Sequence, residues 1–192
     1  MLATLIEWDQ WLFGLVNGLW HHATLDSIMP YWRDKKTWIP LYVLLLVIVG
    51  KDRGLKTFWV LLILGLTIAL ADQVSSQWIK KSVERLRPCN DSELEGVRLL
   101  LDHCGGGYSF TSSHATNHFA IATQLYLLFR LTWKKQYFIA LFIWAALIAY
   151  GQVYVGVHYP LDVFSGAFLG IAIAYFVHSI SARLGFVKKI WN

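Results

Sequence analysis

Charged residues are scarce in this sequence. Only 15% of its 192 residues are Asp, Glu, Lys or Arg, whereas a soluble globular domain carries about 25%. Hydrophobic residues make up 56% of the chain, and 10 residues are tryptophan. This balance argues against a soluble protein and predicts an all-α, polytopic bundle of membrane helices, in which residues 1–192 form a single domain embedded in a lipid bilayer.

Acidic residues and cysteines are also few. The 17 basic residues outnumber the 12 acidic ones and give a formal charge of +5. The basic residues lie in short clusters between apolar runs, as they do at membrane flanks, so we expect no nucleic-acid partner.

The only two cysteines, Cys89 and Cys104, fall in the longest polar connection. They form one disulfide if that connection faces an oxidising compartment, and two free thiols otherwise.

Apolar runs predict five membrane-crossing helices, with a sixth left open. Residues 2–20 lack a clean run of about 20 apolar residues. They favour an amphipathic helix at the membrane interface, with a tilted span as the alternative, and they begin an N-terminal region that extends to residue 36. The sequence therefore predicts five to six transmembrane helices, and the five clearer spans are residues 38–50, 58–79, 115–131, 137–154 and 163–180.

Three basic clusters orient these spans. With five consecutive crossings, residues 51–56, 130–135 and 183–189 fall on one side, which the positive-inside rule makes cytoplasmic. The polar loop of residues 80–113 then lies on the opposite, non-cytoplasmic face, where acidic residues are interspersed among its basic ones.

The first polar stretch of interest begins this loop. Lys80 and Arg87 are seven residues apart, and they share one face if the segment is helical. A lysine and an arginine together bind phosphate well, because one is a compact charge and the other a planar fork of donors. The alternative is a basic cluster that meets lipid headgroups. Lys81 and Arg85 are expected to be solvated.

The second stretch ends the loop. A glycine triplet, Gly105–Gly107, is followed by hydroxyl residues that lead directly into an apolar span. Ser112 and Ser113 suit the start of a helix, whose free amides form an anion site. His114, in the first turn, is placed to act as a general acid. The alternatives are ordinary capping and a metal pair with His118, which lacks an acidic partner nearby.

The third stretch lies between the last two spans. Pro160 and Asp162 both suit the first turn of a helix. His158 precedes that turn, so the Asp162 carboxylate could hold one ring nitrogen and leave the other free as a nucleophile. The alternative is that Asp162 only caps the helix and His158 is an interfacial polar residue.

Taken together, these stretches resemble the type 2 phosphatidic acid phosphatase family, whose superfamily also contains the vanadium haloperoxidases. The motifs of that family are Lys-x6-Arg-Pro, Pro-Ser-Gly-His and Ser-Arg-x5-His-x3-Asp. Here they read Lys80…Arg87-Pro88, Thr111-Ser112-Ser113-His114 and Gly151-Gln152…His158…Asp162. Their order along the chain, and their places relative to the predicted spans, match as well.

The resemblance implies a role for each of these residues. His158 attacks phosphorus to form a phosphohistidine, Asp162 orients it, and His114 protonates the leaving oxygen and then activates water. The residues that bind the phosphoryl oxygens are Lys80, Arg87, Ser112, Ser113 through its amide, and Gln152. The resemblance implies neither metal nor cofactor.

The same resemblance implies a substrate and a location. The substrate would be a lipid phosphate or pyrophosphate, such as phosphatidic acid, phosphatidylglycerol phosphate, undecaprenyl pyrophosphate or lipid A. The enzyme would lie in a bacterial inner membrane, with its active site facing the periplasm or exterior.

The most serious departure from the family pattern is Gln152, which replaces a phosphate-binding arginine. Gly151 replaces a serine, and Thr111 and Ser113 replace the proline and glycine of the second motif. Either one cation is missing, in which case Gln152→Arg should raise activity, or Lys81 or Arg85 supplies the charge.

Alternatives to hydrolysis are a lipid phosphotransferase and a non-catalytic module that binds or transports lipid phosphates. The non-catalytic alternative does not explain why His114, His158 and Asp162 occur together.

Overall fold

The computed structural model describes residues 2–192, and within them it contains helices and no strands. Turns of π-helix extend the helix Leu2–Phe13 (α1) over Gly14–Leu19 and the helix Thr57–Gln73 (α4) over Val74–Ile79. The all-helical class predicted from composition is confirmed, and a helix covers most of each predicted span. The helices are α1 (Leu2–Phe13), α2 (Ala23–Trp32), α3 (Ile39–Arg53), α4 (Thr57–Gln73), α5 (Lys80–Val83), α6 (Ser113–Phe129), α7 (Lys135–Tyr154), α8 (Pro160–Arg183) and α9 (Phe186–Trp191).

Several of these helices turn apolar side chains outward. Within residues 2–192, three helical segments are long and apolar enough to cross a membrane: Lys35–Asn90, Lys135–Tyr154 and Pro160–Arg183. The first of them bends at Gly54, whose φ of +57° separates α3 from α4. On α8, Phe168 is 73% exposed. Since a water-soluble helix buries its apolar face, this distribution indicates an integral membrane protein.

Two glycines of α8 allow it to pack closely against α6. A Cβ atom on Gly166 would lie 2.7 Å from the carbonyl oxygen of Ser112, and one on Gly170 would overlap the backbone of Thr116. Small residues one turn apart let two membrane helices approach in this way. The N-terminal ends of α6 and α8 therefore lie side by side, and the Ser112 amide donates to the backbone carbonyl of Asp162 at 3.0 Å.

The N-terminal region packs on the same end of the bundle. α1 turns Trp8 outward, with 59% of the residue exposed, and it buries Asp9. In the following π-helical turn, the Asn17 side-chain amide donates to the carbonyl oxygens of Arg98 and Tyr154, both at 2.8 Å. These bonds attach the polar loop and the end of α7 to the N-terminal region.

A disulfide closes part of the polar loop. Cys89 and Cys104 are bonded, with their Cα atoms 5.8 Å apart and a sequence separation of 15. The enclosed segment leads to the glycine triplet and the start of α6, so the bond restrains the chain that connects the first two motifs.

Loss of this disulfide is expected to destabilise the fold. Replacing both Cys89 and Cys104 by serine should lower the free energy of unfolding by about 3 kcal/mol, because the unfolded chain regains the entropy of an open loop. Denaturation in detergent measures the change. Reductant should destabilise the native chain and leave the double variant unaffected. Equal stability of the two proteins would contradict the expectation.

Candidate active site

The segment between α7 and α8 holds His158. Tyr159 is the N-cap of α8, and the Asp162 carboxylate accepts its backbone N–H at 2.8 Å. Asp162 thus lies in the first turn of the helix, as predicted, and this local bond fixes the direction of its side chain. The Nδ1 atom of His158 lies 3.4 Å from Oδ2 of Asp162. The carboxylate can therefore hold the proton on Nδ1 and leave Nε2 with its lone pair.

His158 is only 2% exposed, and its surroundings favour the neutral ring. Burial lowers the pKa of His158 to about 4, although the hydrogen bond and the charge of Asp162 act in the opposite direction. A histidine with a lowered pKa is unprotonated at neutral pH, so Nε2 is available as a nucleophile. This nitrogen lies 3.2 Å from NH1 of Arg87, in a position where an anion bound by the guanidinium would meet it.

Arg85 neutralises carboxylates beside this pair. One of its nitrogens lies 2.8 Å from the Asp162 carboxylate and another lies 2.6 Å from that of Asp9. Asp162 also accepts the hydroxyl of Ser109. The expectations that Arg85 is solvated, or that it replaces the missing arginine, are wrong, because both ends of its guanidinium are engaged by carboxylates. Lys81 is exposed, as expected for a solvated residue.

Lys80 and Arg87 do not share one helical face. Their spacing predicts a shared face only if the whole segment between them is helical, and it is not. The helix ends at Val83, because Glu84 takes a left-handed conformation with φ of 52°. Arg87 is extended, as is usual for a residue that precedes proline. Contacts with the later part of the polar loop position each cation instead.

Backbone carbonyls of this loop, and one from the connection between α7 and α8, hold both cations. Lys80 Nζ donates to the carbonyls of Tyr108 at 2.8 Å and Ser109 at 3.2 Å. The Arg87 guanidinium donates to three carbonyl oxygens at 3.1–3.3 Å, those of Gly106, Gly107 and Val157. In the part of the chain that the structure describes, neither cation has a carboxylate within 4.0 Å. Their charges therefore remain available to an anion.

The start of α6 provides the second motif. Ser112 is its N-cap and accepts the Ala115 amide at 3.5 Å, as predicted for a capping residue. The Ser113 hydroxyl lies 2.9 Å from that of Ser75 and 3.0 Å from that of Ser76. Its side chain is engaged there, while its amide at the helix start is free of an intrahelical partner and suits an anion.

His114 lies in the first turn of α6, half-buried, with its ring parallel to that of His118 at 6.4 Å. The nitrogens of His118 contact the His114 carbonyl at 2.7 Å and the Tyr42 hydroxyl at 3.2 Å. Both ring nitrogens of His118 are thus occupied, and this arrangement does not favour a metal pair with His114.

Gln152 contacts a residue that the sequence did not single out. Gln152 is fully buried in the last turn of α7, and its Oε1 accepts from Nε of Arg33 at 3.0 Å and from NH2 at 2.9 Å. Arg33 is the C-cap of α2 and lies 119 residues earlier in the chain. No local pattern links the two positions, so only the packing of α2 against α7 reveals the pair.

The site as a whole suits phosphoryl transfer. A buried neutral imidazole, oriented by a carboxylate, faces a region where Lys80, Arg87 and a helix start can stabilise negative charge. Charge stabilisation of this kind and a covalent histidine nucleophile are what transfer of a phosphoryl group requires.

Several known proteins are similar to this chain in sequence or in structure. The lipid A 4'-phosphatase of Bacteroides thetaiotaomicron is 33% identical over 191 residues, which cover 96% of this chain and 83% of that protein. The undecaprenyl-diphosphatase of Sulfolobus acidocaldarius is 32% identical over 182 residues, covering 93% and 81%. The crystal structure of Aquifex aeolicus LpxE superposes with a TM-score of 0.64 and 29% identity, covering 88% of this chain and 93% of that one.

The sequence profile of the PAP2 superfamily matches residues 57–186. These residues include all three motifs, from Lys80 to Asp162, and the helices α4, α6, α7 and α8 that present them. With more than half of the chain matched in this way, the protein belongs to the PAP2 superfamily.

Proposed function

We propose that this protein is a metal-independent membrane phosphatase that removes a terminal phosphate from a lipid phosphate or pyrophosphate. The observation that carries the proposal is the placement of His158 Nε2, 3.2 Å from the Arg87 guanidinium, while Nδ1 faces Asp162. A binding module needs cations, but it does not need a buried neutral imidazole oriented by a carboxylate. The geometry therefore favours hydrolysis over binding alone.

In the proposed reaction, Nε2 of His158 attacks phosphorus. A P–N bond forms while the P–O bond to the lipid breaks, and His114 donates a proton to the departing oxygen. The phosphohistidine is then hydrolysed by a water that gives its proton to His114, so His158 is regenerated and phosphate is released. Lys80, Arg87 and the first amides of α6 stabilise the charge on the phosphoryl oxygens in both steps.

We propose five membrane crossings, supplied by α3, α4 with its π-helical turn, α6, α7 and α8, within a single domain of residues 1–192. The motifs lie at the end of the bundle formed by the starts of α6 and α8, whereas residues 51–56 and 130–135 lie at the other ends of their helices. With the basic clusters on the cytoplasmic side, as the positive-inside rule favours, the site would face the non-cytoplasmic side, and we propose a bacterial inner membrane because of the Bacteroides relative. A disulfide in the polar loop suits an oxidising compartment.

The substrate class can be narrowed by a direct assay. Phosphate release should be measured in detergent with lipid A, undecaprenyl pyrophosphate, phosphatidylglycerol phosphate and phosphatidic acid. We expect release from at least one of them. Lipid A is the first candidate, because the similar Bacteroides protein is a lipid A 4'-phosphatase. EDTA should leave the rate unchanged, since cations and amides of the protein stabilise the charge. Loss of activity in EDTA would contradict the metal-independent mechanism, and no release from any of the four would contradict the proposed function.

A further inference from the structure

The position of Gln152 relative to His158 makes its contact with Arg33 relevant to the reaction. The backbone carbonyl of Gln152 accepts the amide of His158 at 3.2 Å. Its side-chain Oε1 accepts two bonds from Arg33. The same residue is thus bonded to the nucleophile through its backbone and to a guanidinium through its side chain.

Arg33 forms no salt bridge in the described part of the chain. Among residues 2–192, no carboxylate lies within 4.0 Å of its guanidinium. By contrast, Arg98 lies 2.6 Å from Asp26, and Arg85 is held between Asp9 and Asp162. Holding an incompletely solvated guanidinium without a carboxylate in contact costs free energy, and an anion bound beside it would offset that cost.

Gln152 and His158 link Arg33 to Arg87, because the Gln152 carbonyl accepts the His158 amide and Nε2 of His158 lies 3.2 Å from NH1 of Arg87. Burial, and next repulsion from the charge of Arg87, lower the pKa of Arg33, whereas the charge of Asp34 acts in the opposite direction. A doubly or triply charged phosphoryl group would relieve the repulsion, because it attracts both guanidinium groups.

The donors of Arg33 are only partly used. Nε and one N–H of NH2 are committed to Gln152, and in the described chain NH1 has no protein acceptor. A guanidinium carries five N–H donors in a rigid fork, so the remaining ones can bind a phosphoryl oxygen while Gln152 holds the group still.

Gly151 lies beside the same segment. A Cβ atom on Gly151 would lie 3.4 Å from Cβ of Arg33 and 3.8 Å from the sulfur of Met29, which is ordinary van der Waals contact. Gly151 and Gln152, both of which depart from the third motif, therefore both lie against the end of α2.

We propose that Arg33 binds the phosphoryl group in place of the arginine that the third motif lacks, with Gln152 as the positioning residue that holds its guanidinium beside His158. This inference rests on the proposed phosphatase function and adds a residue to it. Arg33 lies outside residues 57–186, which the superfamily profile matches. The cation that the motif lacks is thus supplied by a segment of the chain that the profile does not include.

The proposal reverses the expected effect of restoring the family arginine. On the sequence alone, Gln152→Arg adds a missing charge and raises activity. In this structure it replaces the acceptor of Arg33 by a second guanidinium at the same place, so the two groups repel and activity falls.

Exchanging the two residues tests the proposal. Arg33→Gln should lower kcat/KM by about a hundredfold, the typical effect of losing one charged donor to a transition state, and it should weaken inhibition by orthovanadate. Gln152→Arg should also lose activity. The double variant Arg33→Gln with Gln152→Arg should recover at least about tenfold over either single change, because it returns one guanidinium to the site. Arg183→Gln, which removes an exposed guanidinium at the far end of α8, serves as the matched control and should behave as the native protein does.

Two outcomes would overturn the proposal. One is native kcat/KM and native vanadate inhibition in Arg33→Gln. The other is a loss of activity in Arg33→Gln with unchanged vanadate affinity and no recovery in the double variant, which would make Arg33 a structural residue. Thermal stabilisation by orthovanadate gives the affinity of each variant even if the chain hydrolyses none of the lipids. Failure of the proposed function is thereby separated from failure of this inference.

Discussion

Replacing His158 by alanine is expected to abolish turnover, with a loss on the order of 10⁴-fold or more. The reason is chemical, because the change removes the atom that forms the P–N bond. Nε2 of His158 faces the Arg87 guanidinium, and no other ring nitrogen in the described chain lies within hydrogen-bond distance of Arg87. Phosphate release from the lipid substrate measures the loss.

The covalent intermediate gives a second, independent readout. Brief mixing of the native protein with substrate labelled in its phosphate should yield an acid-labile phosphohistidine, and His158→Ala should yield none. His103→Ala is a matched control, since His103 is an exposed histidine of the same polar loop. Native turnover in His158→Ala, or label on another residue, would contradict the assignment. His158→Gln retains much of the side-chain volume and tests whether any loss arises from packing.

Replacing His114 by alanine should lower turnover by about 10²- to 10⁴-fold, the range for loss of a general acid and base. The loss should depend on the leaving group. A lipid alkoxide needs a proton as the P–O bond breaks, whereas a nitrophenolate leaves without one. The measurement is therefore phosphoenzyme formation with a lipid phosphate and with p-nitrophenyl phosphate.

With the aryl substrate, the first step should survive in His114→Ala, and the phosphohistidine should accumulate because no base activates water for the second step. Equal losses with both substrates would show that His114 positions the phosphate and does not transfer a proton. Ser112, whose hydroxyl caps the same helix, offers a comparison: Ser112→Ala should affect both substrates alike, since a cap or a phosphate contact is independent of the leaving group.

The local part of the site could be read from the sequence. Asp162 in the first turn of α8 and Ser112 as the N-cap of α6 follow from residue preferences that act over three or four positions. The apolar runs likewise predict their helices, since length and hydrophobicity are properties of a segment alone. The three motifs identified the family for the same reason.

The end of the helix between Lys80 and Arg87 could not be predicted in this way. Nothing about Glu84 as a residue type requires the left-handed conformation that ends α5. That ending lets the chain turn back so that Arg85 reaches Asp9 and Asp162, 76 and 77 residues away.

The distribution of charge around the phosphate site was decided by tertiary structure. The sequence contains Arg33, Arg85 and Gln152, but their spacing does not indicate which arginine is neutralised by carboxylates and which is left for a substrate. Packing distinguishes the two arginines, because α1 brings Asp9 to Arg85, whereas the end of α2 brings Arg33 to Gln152 with no carboxylate within 4.0 Å among residues 2–192. The sequence by itself determined the proposed nucleophile, its proposed orienting acid and the helix starts that hold them, since those depend on neighbouring residues. Which cations face the phosphate depends on contacts between segments that are far apart in the chain.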